Sequence, residues 1–183
     1  MRKSTLHYLR ETVETIVIAF VLAFLVRSFV VQAFWIPSGS MEPTLHVGDR
    51  ILAYKLFYGI ENVKRGDVIV FKYPLNPRKD FVKRVIGLPG DEIEIKDKKV
   101  YVNGKLLMES YVMHEDLRER GFPRDEYGPV QVPDNSLFVL GDNRDTSDDS
   151  RYWGFVPAEN IIARAFLVYW PPWRVKIIKR PVY

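Results

Sequence analysis

Phe81-Val82-Lys83-Arg84-Val85-Ile86-Gly87-Leu88-Pro89-Gly90-Asp91 reads as a strand running into a turn. The first six residues are rich in β-branched and aromatic types, and Leu-Pro-Gly-Asp carries the turn formers. Side chains alternate across a strand, so Lys83 shares a face with Phe81 and Val85 while Arg84 joins Val82 and Ile86. One of two adjacent cations therefore shares an apolar face. Either both reach solvent at a sheet edge, or a lysine is desolvated. Lowering its pKa from about 10.4 to about 7.5 requires roughly 4 kcal/mol, which an apolar site can supply, and a neutral amine is a competent general base.

Similar short segments lie on either side. Val68-Ile69-Val70-Phe71, Glu92-Ile93-Glu94-Ile95, Val100-Tyr101-Val102, residues 136–140 and residues 163–169 read as strands separated by Gly, Pro, Asn and Asp. Asn103-Gly104 predicts a two-residue hairpin turn, because that pair accepts the two positive φ values of type I′. Pro74-Leu75-Asn76-Pro77 predicts another turn. A short helical turn with Pro157 at its first position is expected before the last strand. The charged stretch 114–128 is expected as an exposed loop inside a small insertion at about 103–131. The fold class is mainly β, an antiparallel domain over 37–183 hung from one N-terminal helix.

The first 36 residues differ. Residues 16–26 carry no polar side chain, and Arg27 and Ser28 interrupt the apolar pattern before 29–36. Eleven helical residues rise only about 16 Å, so a spanning helix must include Arg27 or the Glu11/Glu14 turn. An Arg within a span costs roughly 2.5–3.5 kcal/mol, which the surrounding Leu, Ile, Phe and Val offset, with Arg27 snorkelling or paired. A membrane anchor over 1–36, a cleaved secretory signal and a buried core helix all remain open. The anchor and the signal both leave the positive flank in the cytoplasm.

Composition narrows the chemistry. The 183 residues hold 27 Lys+Arg against 23 Asp+Glu, a net +4, and no Cys. Disulfide frameworks, thiolate metal sites and thiol nucleophiles are excluded, and the small basic excess forms no nucleic-acid stripe. His7, His46 and His114 have no metal-ligand spacing, so neither a metal nor a cofactor is expected. The nucleophile is left to Ser, Thr, Lys or a carboxylate.

Two further segments fit that restriction. Pro37-Ser38-Gly39-Ser40-Met41-Glu42-Pro43-Thr44-Leu45 is either a hydroxyl-rich linker or a nucleophile-bearing turn. The run from Gly141 to Gly154 holds Asp142, Asp145, Asp148, Asp149, Arg144 and Arg151, and lacks EF-hand spacing. It is either a solvated acidic loop or a polar network holding backbone beside a site.

Taken in order, the N-terminal helix, Pro37-Ser38-Gly39-Ser40-Met41, Arg65-Gly66-Asp67-Val68-Ile69-Val70-Phe71, Lys83-Arg84-Val85-Ile86-Gly87-Leu88-Pro89-Gly90-Asp91 and Gly141-Asp142-Asn143-Arg144-Asp145 through Asp149-Ser150-Arg151 resemble bacterial type I signal peptidases, membrane-anchored Ser/Lys leader peptidases. The resemblance implies Ser40 as nucleophile and Lys83 as general base. It also implies an oxyanion hole from the Ser38 hydroxyl and the Ser40 N–H, with Ser147 orienting the lysine. Asp149 and Arg151 match ion-paired supporting positions, and Asp142 and Asn143 match others in that block. Thr146 departs from the family, which often has Asn there, and the interval from Asp91 to Gly141 is short beside its longest members. The implied partners are exported preproteins, cut after small-x-small motifs, and membrane lipid. The implied location is the cytoplasmic membrane, crossed once, with the peptidase domain outside. A self-cleaving Ser/Lys regulator and a non-catalytic, membrane-tethered peptide-binding β module are the alternatives.

Overall fold

In the computed structural model, residues 5–25, 30–55, 60–115 and 121–183 are described. Helix α1 is Thr5–Leu25, and its apolar side chains from Ile16 to Phe24 are exposed around much of the helix. Among the described residues, no helix is long and apolar enough to cross a membrane. The physical reason is local: Arg10, Glu11 and Glu14 lie in the first half, so the uninterrupted apolar stretch begins only at Ile16. The expected role of Arg27 falls outside the described residues.

The rest is antiparallel β structure. The strands are β1 Val31–Trp35, β2 Arg50–Tyr54, β3 Val68–Tyr73, β4 Asn76–Gly87, β5 Glu92–Lys96, β6 Lys99–Val102 and β7 Lys105–Leu106. They continue with β8 Tyr127–Gln131, β9 Ser136–Leu140, β10 Val156–Pro157, β11 Ile161–Trp170 and β12 Lys176–Ile177, with helix α2 at Ser150–Trp153. One sheet runs β1-β2-β11-β3-β4-β9-β10 with β12 beside β11, and a second runs β7-β6-β5-β8. Every named strand pair is antiparallel.

β4 is the axis of the arrangement. Its register sets Ile69 opposite Lys83 and Val68 opposite Arg84 on β3, and Leu140 opposite Arg84 on β9. With neighbours on both edges and packing on both faces, residues 83–87 are all buried. Gly87 closes the strand where the two sheets meet. A Cβ there would lie 2.8 Å from Val132 and 2.9 Å from Ile93, so only glycine permits this approach. The two predicted turns are present. Tyr73 pairs with Asn76 across Pro74-Leu75, and Asn103 and Gly104 carry φ of 52° and 72°, as type I′ requires.

Three expectations need correction. The sheet begins at Val31, inside the stretch assigned to the anchor, where Ala33 pairs with Leu52. Four of its five residues are apolar, so alternation along the chain is faint. The short turn before β11 is a 3-10 turn, Ala158–Asn160, with Pro157 capping it rather than inside it. The charged segment is not wholly exposed: Arg124 and Asp125 are 5% and 3% exposed, joined by two hydrogen bonds of 2.7 and 2.9 Å.

Candidate active site

Ser38 caps a 3-10 turn, Gly39–Met41, that follows β1. The turn is held by Met41 and Leu45, 1% and 0% exposed, which sink into the core formed with Ile36, Ile51 and Val168. Glycine, serine and proline explain the tight turn, and the two apolar residues explain why it is fixed rather than a free linker. Ser40 is the second residue of the turn, so its N–H precedes the first N–H that the turn itself can bond. Ser38 is exposed and shares a groove of about 380 Å³ with Ser40 and Lys83.

Ser40 and Lys83 meet across 43 residues of chain. Lys83 Nζ lies 2.6 Å from Ser40 Oγ. Lys83 is only 4% exposed, and its amine sits 5.6 Å from the centre of the Phe81 ring, which stacks on Tyr73 at 4.4 Å. Burial depresses the Lys83 amine to about 8. Asp149, Asp148 and Asp142 pull it upward and Arg151 pushes it down, so desolvation wins.

The Gly141–Arg151 run encloses this pair. Arg151 donates to Asp149 from Nε at 2.8 Å and from Nη2 at 2.9 Å, and reaches the carbonyls of Arg144 at 2.7 Å and Arg124 at 2.9 Å. Asp149 accepts from the Gly141 N–H at 3.0 Å and caps α2 by accepting from the Arg151 N–H at 3.3 Å. Burial alone would raise the Asp149 pKa, but Arg151 and the Gly141 N–H hold it below its ordinary value. Gly141, Asp149 and Arg151 thus form a buried, hydrogen-bonded network rather than a solvated loop, while the buried Asn143 Oδ1 and Ser147 Oγ have no hydrogen-bond partner among the described residues. Asn143 donates its N–H to the Ser40 carbonyl at 3.2 Å, tying the network to the Ser40 turn. Ser147 is buried, and its Oγ makes no hydrogen bond to Lys83; it lies instead against Gly141.

Several contributors carry no role in the sequence reading. Arg84 donates to Asp142 at 2.8 and 2.6 Å, to the Gly66 carbonyl at 2.8 Å and to Thr44 Oγ1 at 3.1 Å. Thr44 in turn donates to Asp142. Arg144 pairs with Glu109, and Met113 exchanges backbone hydrogen bonds with the Asp142–Arg144 segment, so part of the insertion braces the network. The advance signal was Arg84 itself, a cation beside Lys83 in an apolar strand.

The family model described as "Signal peptidase, peptidase S26" matches residues 9–170. The chain belongs to this signal peptidase family. It is 46% identical over 174 residues to a probable signal peptidase I-2 from Synechocystis sp., covering 92% of this chain and 76% of that protein. It is 43% identical over 171 residues to a signal peptidase I from Leptolyngbya laminosa, covering 89% and 80%. A crystal structure of a signal peptidase I from Enterococcus faecalis is 34% identical, with a TM-score of 0.47, covering 56% of this chain and 96% of that one. Neither cysteine nor histidine lines the groove that holds Ser40 and Lys83.

Proposed function

We propose that the protein is a serine endopeptidase that removes N-terminal signal peptides from exported preproteins, cutting after small-x-small motifs. The observation that carries this reading is the 2.6 Å approach of a buried, depressed lysine amine to the Ser40 hydroxyl. Neutral Lys83 takes the Ser40 proton as Oγ attacks the scissile carbonyl carbon, and the new ammonium then protonates the leaving amine. The resulting ester is hydrolysed by a water that gives a proton to Lys83, and Lys83 returns it to Ser40 Oγ as the acid product leaves. The Ser38 hydroxyl and Ser40 N–H serve the oxyanion, each contributing about 2.7–4 kcal/mol when aimed at the transition state. Asp149 with Arg151, and Asp142 with Asn143, hold the backbone around the pair. Ser147 packs Gly141 against the Ser40 turn.

Support for the substrate class comes from the groove beside Ser40. Ile36, Val70, Phe81 and Val82 line it, surfaces that suit small aliphatic side chains of an extended peptide. The segment before Val31 is proposed as the cytoplasmic tail and membrane anchor, with the β domain on the outer face of the cytoplasmic membrane and lipid as its neighbour. The exposed apolar side chains of α1 from Ile16 to Phe24 support this. Exposed Trp35, Trp170 and Trp173 are suited to the interface. The test is cleavage of a preprotein by the detergent-solubilised full chain. Ser40→Ala and Lys83→Met are each expected to abolish it while the protein stays folded, and normal turnover by Lys83→Met overturns the mechanism.

A further inference from the structure

A second cavity, of about 340 Å³, shares no lining residue with the Ser40–Lys83 groove. It lies between the segment ending in β12 and beyond, the turn at Thr44, and the Ser110-Tyr111 pair. Arg84 contributes to its lining, with its guanidinium 4.1 Å from the centre of the Tyr111 ring. Lys176, Lys179 and Arg180 come from the C-terminal side.

Charge accounting makes this cavity unusual. The carboxylates around it are already matched to arginines: Asp142 to Arg84, Asp49 to Arg174 at 2.8 Å, Asp67 to Arg180 at 2.7 Å, and Glu109 to Arg144. Among the described residues, neither Lys176 nor Lys179 has a carboxylate partner within 4.0 Å. Lys176 and Lys179 therefore line one concavity with no direct ion-pair partner. The crowding is felt: burial first, and then the Arg174 guanidinium, lowers the Lys176 amine, only partly opposed by Asp49 and Asp142.

We propose that this cavity is a binding site for a phosphate group, held by Lys176 and Lys179, with Ser110 in the same lining. Lysine is a compact point charge on a flexible stem and follows the several oxygens of a tetrahedral anion, whereas the fixed forks lining the cavity are already committed to carboxylates. The surroundings point to the phosphate of a lipid headgroup. Trp173, Ile177 and Val182, 82%, 68% and 97% exposed, lie in the same C-terminal segment and offer apolar contact beside the cations. Inorganic phosphate presents the same chemistry without that apolar part, so the two sources are separable.

The experiment titrates the full chain in a neutral detergent, at constant ionic strength, with inorganic phosphate and with soluble dihexanoylphosphatidylglycerol, and dihexanoylphosphatidylcholine serves as the zwitterionic control. Binding is read by calorimetry for the unaltered protein, for Lys176→Gln/Lys179→Gln, and for the charge-matched Lys72→Gln/Lys105→Gln. Both pairs are exposed, and far-ultraviolet circular dichroism checks that each variant is folded. The expected result is saturable binding of at least one anion that is weakened about tenfold or more in Lys176→Gln/Lys179→Gln and unchanged in the control pair. Equal affinity for both anions assigns the site to free phosphate, and preference for phosphatidylglycerol assigns it to a headgroup. Absence of binding by either anion, or equal weakening in both double variants, overturns the proposal.

Discussion

Arg84 and Asp142 form a two-pronged ion pair at 2.8 and 2.6 Å, with Arg84 2% and Asp142 0% exposed. Arg84 follows Lys83 directly, and Asp142 also accepts from Thr44, four residues beyond Ser40. The pair therefore clamps the strand that carries the proposed base to the turn that carries the proposed nucleophile. Asp142→Asn keeps the shape and removes the charge, leaving a buried guanidinium uncompensated. The expected cost is about 3–5 kcal/mol of stability, with a fall in kcat larger than any change in KM. Thermal unfolding and steady-state cleavage measure both.

Lys83→Met is expected to make a more stable and inactive protein. Burial holds the lysine at about 8 against an ordinary 10.5, a gap worth about 3 kcal/mol against the charged form. Between those two values the unfolded chain keeps its proton and the native chain does not, so stability rises with pH across that window. Below pH 8 the native state carries the whole cost. Denaturant midpoints should therefore place Lys83→Met above the unaltered protein at pH 7, with the gap closing by pH 10.5. A Lys83→Met protein less stable at pH 7 contradicts the assigned burial cost.

Gly141→Ala tests the packing of the network against the turn. A Cβ at Gly141 would lie 2.2 Å from Ser147 Oγ and 2.4 Å from the Ser40 carbonyl oxygen. One of them must move. Overpacking of this kind costs about 1–3 kcal/mol, and displacement of Ser40 by even a fraction of an ångström lowers cleavage more than stability. The comparison of kcat/KM with the unfolding temperature reads this, and unaltered turnover would show that Ser40 is not held from that side.

Local signals were legible and distant pairings were not. Asn103-Gly104 announced its turn because two positive φ values are a property of the dipeptide itself. The strands around Val68, Glu92 and Ser136 were visible because each is a short β-rich run between turn formers. Val31–Trp35 was hidden because an apolar run carries little alternation to read. Arg84, 58 residues from Asp142, could not be assigned a partner from the chain alone, and neither could Arg144 with Glu109. Trp170 and Trp173 are exposed, whereas Trp153 packs 5.9 Å from Phe71 and 5.7 Å from Tyr73. Of the site, Ser40 and Lys83 were named by the family resemblance, and residue type and surroundings alone left both open. Thr44 and Gly141 matter only through contacts made after folding.

The central claim is that Lys83 acts as a neutral base, and the pH dependence of kcat/KM for a preprotein substrate tests it most directly. That ratio reports the ionisation of the free enzyme. The account predicts a rise with unit slope up to an inflection near pH 8, where the buried amine loses its proton, and a plateau above it. A profile that is flat from about pH 6 to pH 9, or one that rises only through the ordinary lysine range near 10.4, would contradict it.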